Sequence, residues 1–119
     1  MKVGRLVLAG EIFAEPVEYA VGFFERLKGL LGRSDMNTGS AMIIEHCSSV
    51  HTVGMRFAID LIFLVKEWHV ISRKLNVKPG KLMVSGGVHA KRVVESKAGD
   101  LPLDHLKSGN ELEFHPSDG

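Results

Sequence analysis

The stretch Ile59-Asp60-Leu61-Ile62-Phe63-Leu64-Val65 is apolar except for one carboxylate. A near-continuous apolar run of this length is typical of a β-strand that is buried on both faces. The run falls far short of the ~20 residues that a membrane-spanning helix needs. Successive side chains of a strand point to opposite faces. One face is therefore expected to carry Ile59, Leu61, Phe63 and Val65, and the other to carry Asp60, Ile62 and Leu64.

Short strands are predicted on both sides of this central one. They cover residues 2–8, 17–20, 41–45, 70–77, 92–96 and 111–114, and residues 82–84 are ambiguous. Residues 10–16 contain Gly10 and Pro16 and are predicted to interrupt the chain between the first two strands. Seven to eight short strands at fairly regular spacing predict a mainly β fold, a small antiparallel β-sandwich or barrel. The sequence lacks the β-α-β alternation that is typical of a parallel sheet.

One segment has helical periodicity. Apolar residues recur at i, i+1, i+4, i+7 and i+8 from Phe23 to Leu31, which predicts an α-helix over about residues 22–32. Gly32 ends this pattern. Gly29 lies inside it at a cost of ~1 kcal/mol against alanine, and close backbone packing is the simplest reason for a glycine there. Residues 102–106 are expected to form one further helical turn.

Length and composition limit the classes of protein to which this chain can belong. A chain of 119 residues with 45% hydrophobic and 24% charged residues is expected to form a single domain over residues 1–119, with residues 115–119 as a frayed tail. Fifteen basic and fourteen acidic residues give a net charge of +1, which provides no electrostatic reason to expect nucleic acid as the main partner. We expect a monomer or a weak homodimer.

The location of the protein is predicted from its N-terminal residues and its single cysteine. The first ten residues lack the apolar stretch of a secretory signal peptide, and no segment is long enough to cross a membrane. Cys47 is the only cysteine, so an intrachain disulfide is excluded. We therefore expect a cytoplasmic protein with a reduced thiol and no membrane partner.

Two carboxylates stand out from their apolar surroundings. Asp60 lies within the central strand, and Glu95 ends another strand, so we expect it to point inward. A buried carboxylate is costly unless it is paired or hydrogen-bonded. If the two face each other, one pKa rises, as in a general acid. If they pair instead with Arg33 or Arg56, they are structural, and for Asp60 we favour a structural role.

The segment around Cys47 invites two further interpretations. His46, Cys47 and His51 offer nitrogen and sulfur ligands of the kind zinc takes, but no fourth ligand is evident, so neither a metal nor a cofactor is predicted. Cys47 or Ser49 with His51 and Asp60 has the residue types of a nucleophilic site, for which mutual geometry is the test. The glycine-rich Ser85-Gly86-Gly87 matches no phosphate-binding pattern.

Three ordered motifs carry a family resemblance. They are Arg26-Leu27-Lys28-Gly29-Leu30-Leu31-Gly32-Arg33, then His51-Thr52-Val53-Gly54-Met55 continuing to Ile59-Asp60-Leu61-Ile62-Phe63, then Glu95-Ser96-Lys97-Ala98-Gly99. Over about residues 17–114 the chain resembles the bacterial and archaeal family known as domain of unknown function 192. Leu31 stands where that family often has methionine, and Ala58 where proline is common. The resemblance implies a small, mainly antiparallel β fold with one helix, and it implies no assigned activity.

Three functions remain open for these residues. The first is a small-ligand binding module, because a compact β fold with a few inward polar groups suits recognition. Its expected site contains Arg33, His51, Thr52, Met55, Asp60 and Glu95. The second is a small hydrolase or isomerase that uses Asp60 or Glu95 as acid or base with His51. The third is a structural or protein-interaction domain with an exposed apolar patch, for which Trp68 is a natural anchor.

Overall fold

The computed structural model describes residues 1–22 and 29–117, which form nine β-strands and one 3-10 helical turn. The strands are β1 (Lys2–Leu8), β2 (Glu11–Ala20), β3 (Ala41–Glu45), β4 (Ser49–Val50), β5 (Ile59–Leu64), β6 (Val70–Val77), β7 (Val84–Ser85), β8 (Arg92–Lys97) and β9 (Leu112–Pro116). The 3-10 turn, Leu103–His105, agrees with the helical turn predicted over residues 102–106. Most of the predicted α-helix, residues 23–28, lies outside the described residues, and residues 29–32 form turns rather than the end of a helix.

Seven of the strands form one curled sheet. Their order is β6-β5-β8-β3-β2-β1-β9, and β4 and β7 form a separate two-stranded ribbon. The two edges of the large sheet meet at a bridge between His69 and Glu111, next to a hydrogen bond of 2.9 Å from the Val70 amide to the Asn110 carbonyl. The predicted mainly β, sandwich- or barrel-like fold is therefore confirmed. Unlike its antiparallel neighbours, the pair β2–β3 is parallel, and residues 21–40 supply the long crossover that such a pair requires.

Strand β2 is longer than its sequence predicts. It begins at Glu11, after a tight turn of Ala9 and Gly10, and continues through Pro16. The predicted interruption over residues 10–16 is therefore wrong. Proline is tolerated in strands at bulges, and Pro16 lies beside an irregularity in the pairing with β1, just before the pairing with β3 begins at Val17.

Both faces of the sheet are buried, as the central apolar run predicts. All six residues of β5 are buried, and its five apolar residues alternate between two hydrophobic clusters. All seven strands contribute to the first cluster, which fills the inside of the curl and contains Ile43, Ile62, Leu64 and Val94. The second cluster covers the outer face and contains Met42, Ile44, Ile59, Leu61, Phe63 and Val93 together with loop residues Leu30, Met55 and Ala90. The candidate site lies on this outer face.

The C-terminal residues are paired rather than frayed. In β9, His115 pairs with Arg5 and Pro116 with Gly4, and the Ser117 amide donates to the Val3 carbonyl at 2.9 Å. A Cβ at Gly4 would lie 2.2 Å from the His115 carbonyl oxygen, so glycine permits this close approach. The predicted frayed tail is therefore wrong for residues 115–117, and residues 118–119 lie outside the described part of the chain.

Trp68 is half-buried and packs against the inner core rather than standing out as an exposed anchor. Its ring lies 5.9 Å from that of Tyr19, and the Arg92 guanidinium sits 4.1 Å from the centre of the indole. Arg92 in turn donates to the buried Glu45 carboxylate at 3.0 Å, to which the Tyr19 hydroxyl also donates. The aromatic contacts and this buried ion pair hold the turn before β6 against the inner core. Among the described residues, no helix has the length and apolar composition needed to cross a membrane.

Candidate functional site

Glu95 is a buried carboxyl group on the outer face of the sheet. Its side chain is on the same face as those of its paired residues, Met42 on β3 and Leu61 on β5, both apolar. Glu95 is 5% exposed, and none of the hydrogen bonds found among the described residues reaches its carboxyl group. Burial raises its pKa from the ordinary 4.5 to about 7. Glu95 thus points into the outer core, as predicted, and none of the arginines in the described residues is paired with its carboxyl group.

A small cavity opens above Glu95. Its volume is ≈ 150 Å³, similar to that of an engineered apolar cavity that binds benzene. It therefore has room for a ligand of about six non-hydrogen atoms. The walls are largely apolar, and the residues that line the cavity are Gly29, Leu30, Leu31, Ile44, Cys47, Ser49, Val50, His51, Met55 and Glu95.

The loop that carries His51 and Met55 is held by the fully buried Thr52. The Thr52 hydroxyl donates to the Lys78 carbonyl at 2.7 Å and accepts from the Lys81 amide at 2.8 Å. The Thr52 carbonyl accepts from the Met55 amide at 3.1 Å. These bonds place His51, which is exposed, at the cavity rim and the buried Met55 in the wall. Thr52 positions both without lining the cavity itself.

Two glycines allow the covering loops to approach the sheet and each other. Gly29 has a φ of +49°, and a Cβ there would lie 3.3 Å from Ile44 Cδ1 and 3.6 Å from Glu95 Oε1. At Gly54, with a φ of +86°, a Cβ would lie 3.1 Å from Leu31 Cδ2. Close backbone packing at Gly29, predicted from its place in an apolar segment, is therefore confirmed, and both glycines adopt conformations that side chains disfavour.

Cys47 and His51 share this cavity, but Asp60 does not. Asp60 leaves β5 on the inner face, where its carboxylate accepts from the Asn76 amide at 2.8 Å and from the Gly99 amide at 3.0 Å. The meeting of Asp60 with Glu95, one of the two arrangements considered from the sequence, is therefore not formed. The bonds of Asp60 to backbone amides agree with the structural role favoured for it. The arrangement of Cys47, His51 and Asp60 as a nucleophilic trio is not formed either.

Arg33 is also separate from the Glu95 cavity. Its guanidinium makes two hydrogen bonds to the Glu18 carboxylate, at 3.1 and 2.7 Å, and these bonds raise its pKa. It lines a second cavity of ≈ 250 Å³ with Glu18 and Asp35. Arg33 is thus paired with Glu18 and with neither Asp60 nor Glu95, the partners considered for it from the sequence.

The structure brings together His51, Met55 and Glu95 of the six predicted site residues and places Arg33, Thr52 and Asp60 elsewhere. The sequence interpretation missed the apolar walls, Leu30, Leu31, Ile44 and Val50. Leu30 and Val50 adjoin Gly29 and His51 in the sequence, so the neighbours of the motif residues were the available signal. In residues 1–22 and 29–117, no three His, Cys, Asp or Glu side chains are grouped as a metal site would require.

Comparisons with known proteins place this arrangement in a wider group. Residues 7–114 match the family DUF192, described as Uncharacterized ACR. The UPF0127 protein of Thermococcus sibiricus is 27% identical over 109 residues, which cover 88% of this chain and 70% of that protein. This relative and the family match together cover all three motifs. Six motif residues line the cavity, namely Gly29, Leu30, Leu31, His51, Met55 and Glu95.

Two solved structures share the fold. A protein from Sinorhizobium meliloti, provisionally assigned as a transcription regulator, superposes with a TM-score of 0.80 at 21% identity, covering 95% of this chain and 92% of that one. A protein of unknown function from Novosphingobium aromaticivorans superposes with a TM-score of 0.78 at 19% identity, covering 93% and 84%. At these identities the likeness concerns the fold.

Proposed function

The chain belongs to the DUF192 family, whose description assigns no activity, so its own cavity is the basis for what we propose. We propose that the protein is a binding module for a small molecule that lies above Glu95. His51 and Met55 form part of the enclosure, and Glu95 provides the polar contact. The proposal keeps the cytoplasmic location expected from the sequence.

The observation that carries this proposal is the unpartnered Glu95 carboxyl. Most buried polar groups in proteins are hydrogen-bonded, and a buried group without a partner costs about 1–3 kcal/mol. Among the described residues no hydrogen bond to the Glu95 carboxyl group is found, and this residue lines a cavity whose walls are largely apolar. An apolar enclosure with one or two placed polar groups is the usual composition of a small-molecule site. A ligand that hydrogen-bonds to Glu95 would remove that cost.

A second candidate, a small hydrolase or isomerase, is supported by the pKa of Glu95. Burial raises this pKa to about 7, where a carboxyl group can act as a general acid or base near neutral pH. His51 lines the same cavity, whereas Asp60 is bound to backbone amides on the other face. This alternative therefore rests on Glu95 with His51 alone. Turnover of a bound ligand would favour it over simple binding.

The third alternative, an interaction domain, is supported by exposed apolar side chains. Leu82 and Val88 are each 86% exposed, and Met83 lies between them in the sequence. A weak homodimer through this segment would be detected as a concentration-dependent mass in sedimentation equilibrium. Met83→Ser would then reduce the association, and a mass independent of concentration would exclude the homodimer.

The binding proposal is tested by titrating the full chain with small organic fragments and recording amide NMR shifts. The shifts are expected to cluster at residues 29–31, 44–55 and 95. His51→Ala should weaken binding several-fold. His105→Ala is the matched control, since His105 is exposed on the 3-10 turn outside this cavity. Shifts that cluster elsewhere, or equal effects of the two variants, would contradict the proposal.

A further inference from the structure

We infer that the ligand of this cavity is a small organic cation of the alkylamine class, with the Glu95 carboxylate as its counter-ion. The inference rests on the proposed function and specifies the ligand's charge, hydrogen-bonding groups and size. Each of these follows from a different property of the cavity.

The charge of the ligand is inferred from the side chains that the described part of the cavity wall presents to Glu95. Among the described residues that line the cavity, none is lysine or arginine. The Arg33 guanidinium is bonded to Glu18, and the Arg92 guanidinium to Glu45. An ionised carboxylate in an apolar site is strongly unfavourable without a counter-charge. A cationic ligand supplies that charge, whereas an anionic ligand would be repelled.

The hydrogen-bonding groups of the ligand follow from what Glu95 lacks. An ionised carboxylate only accepts hydrogen bonds and has about four sites for them. Its paired neighbours on the outer face, Met42 and Leu61, offer no side-chain donor. The Cys47 sulfur, in the same wall, donates to the Ser49 carbonyl at 3.1 Å. A primary ammonium group brings three donors to one point, whereas an alcohol brings one.

The size of the ligand follows from the volume and the walls. About 150 Å³ admits a molecule of about six non-hydrogen atoms. Apolar side chains, Leu30, Leu31, Ile44, Val50 and Met55, form most of the enclosure. A short aliphatic chain can cover these side chains while its ammonium group reaches Glu95. The geometry therefore fits a small alkylamine better than a polyol.

The affinity for a cationic ligand is expected to increase as the pH rises. Burial raises the pKa of Glu95 to about 7, so a cation must bind the form that predominates above this pH. Among the described residues, the other titratable groups that line the cavity are Cys47 and His51, and the neighbouring strands β3 and β5 present Met42 and Leu61. Replacement of Glu95 removes its own contribution to the pH dependence and leaves that of the other groups.

The test compares three probes on the full chain by NMR titration: n-butylammonium, 1-butanol and butyrate. They share a four-carbon framework and differ in charge and donors. At pH 8 we expect the amine to bind about tenfold more tightly than the alcohol, and butyrate more weakly than both. Glu95→Gln should weaken amine binding about tenfold and leave alcohol binding within about threefold.

The outcomes separate this inference from the proposed function. If the alcohol binds at the cavity as tightly as the amine, the cation inference fails and the binding module stands. If none of the three probes shifts the amides around the cavity, both fail. If Glu95→Gln does not fold, the wild-type titrations at pH 5 and pH 8 decide. The amine must gain about tenfold in affinity over that range while the alcohol stays constant, and a constant amine affinity overturns the inference.

Discussion

Asp60 and Glu95 lie on adjacent strands, one register position apart, and their side chains leave the sheet on opposite faces. Asp60 pairs with Ser96 on β8, whereas Glu95 pairs with Leu61 on β5. Asp60 reaches the inner face and accepts hydrogen bonds from two backbone amides. Glu95 reaches the outer face and its carboxyl lines a cavity. Two carboxylates on neighbouring strands therefore differ in their partners: Asp60 is bonded to backbone amides, and Glu95 faces the cavity of the outer face.

The buried Glu95 predicts a fall in stability as pH rises. Because folding raises its pKa from 4.5 to about 7, the folded state holds this proton more tightly than the unfolded state. The corresponding stability is present below pH 4.5 and is lost as pH rises through 7. The contribution of Glu95 amounts to on the order of 3 kcal/mol. Urea unfolding of wild type and Glu95→Gln between pH 4 and pH 8 measures it as a difference.

The matched control for this experiment is Glu67→Gln, because Glu67 is exposed in the turn before β6. Its pH profile should follow that of the wild type, and the Glu95→Gln profile should lack the fall. If both variants keep the wild-type pH dependence, the Glu95 carboxyl does not titrate as a buried group.

Asp60→Asn is predicted to destabilise the fold without weakening ligand binding. The asparagine side chain retains one acceptor oxygen and presents an NH2 group to the second amide, so one charge-assisted hydrogen bond is lost. Hydrogen bonds to charged groups contribute about 1.5–3 kcal/mol, and we expect a loss of that size in urea unfolding. A variant with normal stability and lost ligand binding would place Asp60 in the site and contradict its structural role.

Thr52→Val is predicted to lower both stability and ligand affinity. Valine matches threonine in shape but removes the hydroxyl that joins the Lys78 carbonyl and the Lys81 amide. Two buried backbone groups would then lose their partner, at about 1–3 kcal/mol. Affinity should fall several-fold because His51 and Met55 lie in the loop that Thr52 holds. Thr52→Ser keeps the hydroxyl and should retain most of both properties in the same assays.

Much of the fold could be predicted because the pattern of hydrophobic residues indicates which faces of each strand are buried. The bounds of β1, β3 and β6 agree with their predictions, and the apolar run of β5 correctly indicated burial on both faces. The errors arose where distant contacts overrule local signals. Pro16 and Gly10 are local breakers, yet pairing with β1 and β3 extends β2 across Pro16. The parallel pairing of β2 with β3 has no local signature.

The candidate site was predicted only in part, because register decides which side chains meet. The sequence marked Asp60 and Glu95 as unusual, but a shift of one position exchanges the faces of a strand, and nothing local fixes that register. Arg33 was expected near these carboxylates and instead meets Glu18, a residue of β2 that the sequence left without a role. Membership of a motif did not decide which residues meet either, since Gly29 lines the cavity and Arg33, from the same motif, does not.

Gly29→Ala tests whether the cavity itself determines ligand affinity. A β-carbon at this position would lie 3.3 Å from Ile44 Cδ1 and 3.6 Å from Glu95 Oε1, where it would reduce the space for a ligand. The left-handed backbone adds a cost of about 1–2 kcal/mol for alanine. We therefore expect lower stability in urea unfolding and a several-fold lower affinity for n-butylammonium.

Gly32→Ala is the matched control for Gly29→Ala, because it separates backbone strain from crowding. Gly32 has a φ of +83°, and a β-carbon there would meet no heavy atom within 4 Å. It should incur a similar backbone cost while leaving affinity unchanged, since it does not line the cavity. If the two variants weaken binding equally, affinity depends on the backbone of the covering loop. If only Gly29→Ala weakens binding, the ligand occupies the space between Gly29 and Glu95.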